Sequence, residues 1–225
     1  MKITIIYDNE TFKEGLQSDW GFSCLIEAYG KNILFDTGAR SDILLSNMKK
    51  LDLDPRKIDE VFISHGHWDH TGGLSDFLRI NPVKIYVPAS FPINPSRGEK
   101  VIKIKGSLKI HEHIFSTGEL RGIEQSLVVK AEEGVVVIAG CSHPGVKEIL
   151  EHAARVGRVR VLIGGLHGFR KFRLIEGLDW ICPTHCTQHK AEIKALYPDK
   201  YVEGGAGRVL ASPFLPRITT KDPSP

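Results

Sequence analysis

The segment Ser64-His65-Gly66-His67-Trp68-Asp69-His70-Thr71-Gly72-Gly73-Leu74 follows a short apolar run that begins at Val61. Four potential metal ligands fall within six positions of this segment, and glycines flank them. Imidazole and carboxylate groups are the usual protein ligands of zinc and similar divalent ions. The apolar run predicts a buried strand over residues 61–64, so the cluster leaves a sheet edge as a loop. Alternating ligands in such a loop direct two histidines at one ion and turn Asp69 and His70 toward a second.

The composition is that of an ordinary globular protein. The 225 residues are 41% hydrophobic and 25% charged, which argues against a disordered, fibrous or membrane-embedded chain. The formal charge is only +3, from 30 Lys and Arg against 27 Asp and Glu, which is too small to indicate a nucleic-acid or membrane partner. We predict one domain over residues 1–225 and a small-molecule substrate, with no nucleic-acid and no membrane partner. The oligomeric state stays open.

The N-terminal apolar run, residues 2–7, is far shorter than the ~20 residues of a membrane span and lacks a signal-peptide cleavage pattern. The four cysteines form no Cys-x-x-Cys pair, and we interpret them as reduced thiols. These features predict a cytoplasmic protein.

Strand and helix patterns alternate along the chain. Helices are predicted over residues 41–51, capped by Ser41, over 73–80, from Pro144 in the first turn to about 156, and from a Thr187 cap to 197. Strands are predicted over residues 2–7, 20–29, 32–35, 61–64, 83–87, 101–105, 108–111, 127–130, 135–139, 159–163 and 180–182. This order indicates a layered α/β architecture, either two sheets face to face with helices outside or a three-layer single sheet.

Polar or glycine positions follow several of these strands directly. If the strands share a direction, their ends converge on one rim of the fold. Five such strand-end residues at one rim favour a functional site there. They are Asp36, His65, His143, Gly165 and His185.

The segment from His65 to His70 resembles the signature of the metallo-β-lactamase superfamily. Asp36, in Phe35-Asp36-Thr37-Gly38, resembles the acidic residue at the end of an early strand of that superfamily. His143 resembles the third histidine of the first metal site, and His185 resembles the late histidine of the second. The resemblance covers residues 36–185. It implies an αββα sandwich with the metal site at one edge of the two sheets.

The resemblance also implies a ligand set and a reaction. It implies two divalent ions, zinc or manganese with iron as a further possibility. These ions lower the pKa of a bound water from 15.7 toward about 7 and polarise a phosphoryl or carbonyl oxygen. We therefore predict a metal-dependent hydrolase of small phosphorylated or ester substrates. The implied ligands are His65, His67 and His143 for the first ion, and Asp69, His70 and His185 for the second.

Other residues are assigned supporting roles. Asp69 also orients the attacking water, and His167 protonates a leaving group or contacts a phosphate. Asp36 orients ligand imidazoles through hydrogen bonds. Trp20 and Arg170 are candidate substrate contacts, because Trp20 lies in the early hairpin and Arg170 begins a basic run suited to phosphate. Each has a purely structural alternative: packing for Trp20, a turn cap for Asp36, and solvated loops for His167 and Arg170.

The segment His111-Glu112-His113 also has the spacing of two metal ligands on one strand face. Lys109 and Glu112 indicate a solvated edge strand instead. We interpret these histidines as structural.

A narrower resemblance is to the subgroup labelled 7,8-dihydropterin-6-methyl-4-(β-D-ribofuranosyl)aminobenzene-5′-phosphate synthase, many members of which are called metal-dependent hydrolases. It implies, as an alternative, a dihydropterin-type transferase that releases diphosphate. The segments that carry it are Asp8-Asn9-Glu10-Thr11, Trp20-Gly21-Phe22-Ser23, Glu124-Gln125-Ser126-Leu127, Gly140-Cys141-Ser142-His143-Pro144-Gly145, Gly164-Gly165-Leu166-His167 and Thr184-His185-Cys186-Thr187.

One departure concerns the Asp that bridges the two metals in most of the superfamily. The strand before His185 ends in Gly164-Gly165-Leu166-His167 and has no Asp there. Either His167 takes over part of that role or the second site is weaker. A mononuclear iron oxidoreductase on the same fold and a catalytically silent metal-binding protein therefore remain alternatives.

Overall fold

A computed structural model describes residues 1–92 and 100–218. Two mixed sheets pack face to face, one of seven strands and one of six. The seven-stranded sheet contains β1 (Lys2–Tyr7), β2 (Ser23–Ala28), β3 (Lys31–Phe35), β4 (Glu60–Phe62), β5 (Lys84–Pro88), β6 (Val101–Ile104) and β13 (Val209–Leu210). The six-stranded sheet contains β7 (Leu108–His111), β8 (Ile114–Ser116), β9 (Leu127–Ala131), β10 (Gly134–Ala139), β11 (Val159–Gly165) and β12 (Trp180–Thr184).

Helices cover the outer faces of both sheets. Their bounds are α1 (Ser41–Lys50), α2 (Trp68–Thr71), α3 (Leu74–Ile80), α4 (Val146–Ala153) and α5 (Lys190–Leu196). The predicted αββα sandwich is confirmed, and the alternative of a single central sheet is wrong. Within the part of the chain that the structure describes, none of the helices is long and apolar enough to cross a membrane.

The strand directions explain why polar residues gather at one edge. The first sheet has the order β13-β1-β2-β3-β4-β5-β6, and its strands are parallel from β3 to β6. The second has the order β12-β11-β10-β9-β8-β7, and β10, β11 and β12 are parallel. The carboxyl ends of β3 and β4 therefore share one sheet edge, and those of β10 to β12 share another. This confirms the common strand direction expected from the sequence.

Both faces of the central strands are buried, which accounts for their continuous apolar runs. In β10, Val136 and Ile138 face the interior between the sheets, whereas Val135 and Val137 face the layer under α4 and α5. This alternation is the two-residue period of a strand. A third apolar layer, under α1 and α3, completes the core with side chains such as Phe77.

The predicted cap or start of three helices differs from the structure. Arg40 is the N-cap residue of α1, and Ser41 lies inside the helix with its Oγ donating to Asp76. Helix α4 begins at Val146, two residues after Pro144. Thr187 does not cap α5, which begins at Lys190.

The reason for the last difference is local hydrogen bonding. The Thr187 hydroxyl donates to the carbonyl of Thr184 at 2.8 Å and accepts the N–H of Leu166 at 3.0 Å. The hydroxyl thus pairs with one backbone group in the tight turn after β12 and with one at the end of the neighbouring strand β11. It is not available to the first turn of a helix.

The second half of the histidine motif was predicted as loop but forms the short helix α2. His111 and His113 have separate structural partners: His111 Nε2 lies 2.7 Å from Glu60 Oε2, and the His113 ring packs 4.4 Å from that of Tyr29. Among the described residues, neither histidine belongs to a group of convergent ligand atoms. Their structural interpretation agrees with these contacts.

The close approach of the motif to the loop after β3 depends on Gly72. Its N–H donates to the Gly38 carbonyl at 2.8 Å, and a Cβ at this position would overlap the Ala39 carbonyl oxygen. We predict that Gly72→Ala lowers the free energy of unfolding by about 1–3 kcal/mol, measured by urea denaturation. Gly106→Ala is the control, because its Cβ would meet nothing within 4 Å, and we expect a change of less than about 0.5 kcal/mol. Equal losses in the two variants would contradict this packing argument.

Candidate metal centre

Three imidazoles from both sheets converge in a first triad. His65 and His67 lie in the loop after β4, and His143 lies in the loop after β10. His65 Nε2 is 3.1 Å from His67 Nδ1, and His143 Nε2 is 3.2 Å from each of them.

A second triad lies beside the first. It consists of Asp69 and His70, both on α2, and His185, which follows β12. His185 Nε2 is 3.2 Å from Asp69 Oδ2 and 3.3 Å from His70 Nε2, and the remaining pair is separated by 3.7 Å. The structure thus brings together all six residues that the resemblance to the superfamily implied as ligands.

The Asp36 carboxylate fixes one imidazole in each triad. Its Oδ2 accepts from His70 Nδ1 at 2.7 Å and from the Ser64 hydroxyl at 2.6 Å, and its Oδ1 accepts the Ser64 N–H at 2.7 Å. Because the Ser64 hydroxyl proton is used on Asp36, its oxygen accepts from His65 Nδ1 at 2.9 Å. Both His65 and His70 then carry their proton on Nδ1 and turn an Nε2 lone pair into the site.

The N-terminal segment orients the last ligand in the same way. His185 Nδ1 lies 2.9 Å from Asn9 Oδ1, and Asn9 Nδ2 donates to the His185 carbonyl. Asp8 Oδ1 accepts the His185 N–H at 2.7 Å. His185 Nε2 is therefore left free to face Asp69 and His70.

The two triads fit divalent cations. Lone pairs that face one another at 3.1–3.3 Å repel unless a proton or a cation lies between them. Ligand atoms ~2.1 Å from one tetrahedral zinc ion lie ~3.4 Å apart, close to the observed spacing. Burial and the neighbouring imidazoles lower the pKa of His143 to about 4 and hold the pKa of His65 far below its usual range. These two imidazoles of the first triad are therefore neutral, the form that binds metal, whereas Asp36 raises the pKa of His70.

Asp69, the acidic member of the second triad, carries the negative charge that suits a divalent cation. Burial raises the pKa of Asp69, but its hydrogen bond to His185 and the charges of nearby histidines outweigh this effect and lower it to about 2. The carboxylate is therefore ionised at neutral pH. An anionic oxygen beside two imidazoles is a ligand set typical of zinc and related ions.

Glu124 holds the loop that carries His143. Its buried carboxylate accepts four consecutive backbone N–H groups, those of Gly140, Cys141, Ser142 and His143, at 2.9–3.1 Å. Burial raises the pKa of this carboxyl, and the hydrogen bonds from the N–H groups of His143, Ser142 and Cys141 act in the opposite direction. Sequence reasoning assigned Glu124 no role beyond its place in a subgroup motif, because its partners are backbone atoms.

Several strand-end residues adopt a left-handed backbone. The φ angles are +53° for Asp36, +62° for Ser142, +45° for His167 and +47° for His185. Such conformations cost of order 1–3 kcal/mol each in residues other than glycine and cluster at functional sites. Here they turn the side chains at the strand ends toward the rim.

The remaining predicted residues lie around this centre. The His167 ring lies 4.6 Å from that of His143, and its Nε2 is buried without a hydrogen-bond partner among the described residues. The nearby Cys186 thiol raises the pKa of His167. His167 groups with His143 and Cys141 and not with Asp69, His70 or His185, so its ring does not lie between the two triads where a bridging Asp would be.

The two candidate substrate contacts lie farther out. Trp20 is 49% exposed and packs edge-on against His185, with the ring centres 5.1 Å apart. Arg170 lines a groove of about 480 Å³ together with Pro144 and Gly168, the residues that follow His143 and His167. Its Nε donates to His189 Nε2 at 2.9 Å.

Two buried thiols lie next to the triads and were not assigned a role from the sequence. Cys141 Sγ is 3.2 Å from His70 Nε2 and 3.4 Å from Cys186 Sγ. Both cysteines are free. A histidine motif draws attention to imidazoles, and two thiols 45 positions apart in the chain give no comparable signal.

Fold and site together define a two-sheet sandwich with paired ligand triads at one rim. The sequence profile of the metallo-beta-lactamase superfamily matches residues 21–166, more than half of the chain. This chain therefore belongs to the metallo-β-lactamase superfamily. The resemblance inferred from the histidine motif is confirmed.

Individual relatives agree with this assignment. The chain is 27% identical to the 7,8-dihydropterin-6-methyl-4-(beta-D-ribofuranosyl)-aminobenzene-5'-phosphate synthase of Methanocaldococcus jannaschii, across 84% of this chain and 88% of the relative. It is also 27% identical to Tm1679, a metal-dependent hydrolase of the beta-lactamase superfamily, with a TM-score of 0.75 and coverage of 94% and 98% of the two chains. Human short-form tRNase Z shares the fold, with a TM-score of 0.64 at 15% identity over 95% of this chain and 100% of its own.

We predict that Asp36→Asn weakens zinc binding at the second triad by about 10–100-fold, because an amide cannot accept all three hydrogen bonds that orient Ser64 and His70. Competition titration against a chromophoric chelator measures this change. Asp42→Asn is the matched control, since Asp42 is an exposed carboxylate paired with Arg40. Unchanged zinc affinity in Asp36→Asn would show that its hydrogen bonds do not hold the ligands.

Proposed function

We propose that this chain is a metal-dependent hydrolase that acts on a small phosphorylated or ester substrate. The observation that carries the proposal is the pair of adjacent triads, in which ligand atoms from both sheets face one another at 3.1–3.7 Å. Divalent ions held there supply Lewis-acid polarisation and lower the pKa of bound water toward about 7.

The protein side chains position the reactants. The Asp69 carboxylate, ionised and less than a tenth exposed, accepts a hydrogen bond from the attacking water and aligns it. His167 donates a proton from its ring to the leaving group, because its Nε2 is otherwise unpartnered and its ring lies beside His143. Asp36 and Asn9 hold the ligand imidazoles in place throughout.

The surroundings favour an anionic substrate of modest size. The groove beside His143 and His167 carries the Arg170 guanidinium, and guanidinium groups match phosphate oxygens in geometry. Trp20 offers an exposed aromatic face beside His185. We propose a small phosphorylated molecule rather than a nucleic acid, and a reducing compartment such as the cytoplasm because the four cysteines are thiols.

A second candidate is a dihydropterin-type transferase that releases diphosphate. It is favoured by the 27% identity to the Methanocaldococcus jannaschii synthase over most of both chains. The same triads and the same groove serve this reaction, since a diphosphate leaving group also requires neutralisation of developing negative charge.

The hydrolase proposal predicts that His67→Ala lowers kcat/KM on a nitrophenyl phosphodiester reporter by about 100-fold or more. Lewis-acid stabilisation is worth several kcal/mol, and each 1.36 kcal/mol corresponds to about tenfold in rate. His67 is exposed, so its removal leaves the core intact. His152→Ala is the control, because within the described residues the only hydrogen-bond partner of the His152 ring is the Glu148 carbonyl on α4. We expect this variant to retain full activity.

The contrary result is equal inactivity of wild type and His67→Ala on phosphoester, ester and lactam reporters. Metal analysis of the purified protein accompanies the assay. Zinc or manganese at about two ions per chain supports the hydrolase. A single iron with oxygen consumption favours the oxidoreductase alternative instead.

The transferase candidate predicts diphosphate release that requires both a 7,8-dihydropterin diphosphate and a ribosyl-aminobenzene phosphate acceptor. Phosphorus NMR follows free diphosphate, and His67→Ala abolishes it for the same electrostatic reason. Release without the acceptor identifies a hydrolase. Absence of release with both compounds rejects the transferase.

A further inference from the structure

The end of β11, where most of the superfamily has its bridging Asp, has no room for a side chain in this protein. A Cβ at Gly165 would lie 2.6 Å from the Gly140 carbonyl oxygen and 2.7 Å from Cys186 Sγ. A Cβ at Gly164 would overlap the carbonyl oxygen of Ala139 on the neighbouring strand β10, and Gly164 also has a φ of +127°. A carboxylate from this strand is therefore excluded by packing.

Sulfur atoms fill the corresponding space. Cys141 Sγ lies 3.2 Å from His70 Nε2, a ligand atom of the second triad. The same sulfur lies within 4.8 Å of ligand nitrogens of His65 and His143 in the first triad and of His185 in the second. Cys141 Sγ therefore lies close to ligand residues of both triads.

Its surroundings hold Cys141 in this position. The Cys141 N–H donates to Glu124 Oε1 at 3.1 Å, and Cys186 Sγ packs against both the sulfur and the carbonyl of Cys141. The Cys141 side chain is 2% exposed, so it is shielded from solvent. A buried sulfur that faces an imidazole lone pair either donates a weak S–H hydrogen bond or, as a thiolate, ligates a metal.

We propose that the Cys141 thiolate is a ligand of the metal centre and takes the place of the missing bridging Asp. It joins Asp69, His70 and His185 around the second ion. The distance of 3.2 Å between His70 Nε2 and Cys141 Sγ is close to the ~3.6 Å expected for nitrogen and sulfur ligands of one tetrahedral zinc. The inference rests on the proposed metal centre, because without a metal the sulfur remains a thiol.

Cobalt substitution tests the proposal. A thiolate bound to Co²⁺ produces a sulfur-to-metal charge-transfer band in the near ultraviolet, separate from the visible d–d bands that any bound Co²⁺ gives. We expect the charge-transfer band in the Co²⁺-loaded wild type and its loss in Cys141→Ala, with the d–d bands of the first triad retained. Cys24→Ala is the matched control, since Cys24 is a buried thiol in the interior between the sheets and keeps the band.

Further variants separate the outcomes. Retention of the band in Cys186→Ala supports Cys141 as the ligand, and its loss there with retention in Cys141→Ala overturns the assignment. Cys141→Ser keeps the shape of the side chain and also loses the band, which covers the case in which the alanine variant does not fold. Visible d–d bands without any charge-transfer band in wild type overturn the sulfur ligand alone. Absence of Co²⁺ binding rejects the proposed metal centre itself.

X-ray absorption on the zinc-loaded wild type gives an answer that needs no variant. A zinc–sulfur shell at about 2.3 Å is expected, and a shell of nitrogen and oxygen only, at about 2.0–2.1 Å, overturns the proposal.

Discussion

The arrangement of ligands at the rim depends on the hydrogen bonds that the buried Asp36 carboxylate accepts. This carboxylate accepts hydrogen bonds from the Ser64 N–H, the Ser64 hydroxyl and His70 Nδ1, and thereby ties the end of β3 to the loop after β4 and to α2. Charge-assisted hydrogen bonds of this kind are stronger than neutral ones, and a buried donor that loses its acceptor costs about 1–3 kcal/mol. One carboxylate sets the tautomer of His70 directly and that of His65 through Ser64. Each triad therefore has one imidazole whose lone pair is aimed by the same group.

Two further buried acids act in a comparable way on the second sheet. Glu124 gathers four backbone N–H groups of the loop that carries His143, and Asp8 accepts the N–H of His185. These bonds offset part of the backbone strain at Ser142 and His185, whose φ angles are positive. The left-handed conformation has a geometric reason, because a strand continued in extended conformation would point its next side chains away from the rim. The left-handed turn brings them back across the edge, where the two sheets face each other.

The parts of this structure that could be predicted are those with a local or periodic signal. The apolar runs predicted most strands to within one or two residues, and the motif from His65 to His70 predicted the family and the rim. Helix starts were less predictable. The Thr187 hydroxyl, for example, can cap a helix or bond a nearby turn, and in the structure it bonds the backbone of Thr184 and Leu166. Glu124 and Cys141 were beyond sequence reasoning for a related cause. Their significance lies in backbone and side-chain partners that only the packing of the two sheets brings within reach.

The packing at Gly165 connects the missing aspartate to the identity of the metal. Because a side chain there would collide with Cys186 Sγ, the loss of the carboxylate and the presence of the thiols are two aspects of one arrangement. A thiol is compact and needs no further hydrogen bonds, whereas a buried carboxylate has several acceptor positions to satisfy. Replacement of oxygen by sulfur also changes the preferred ion. Thiolate ligands select zinc over manganese, which prefers oxygen donors. A sulfur ligand from Cys141 would therefore favour zinc over manganese, where the imidazoles and Asp69 leave both open.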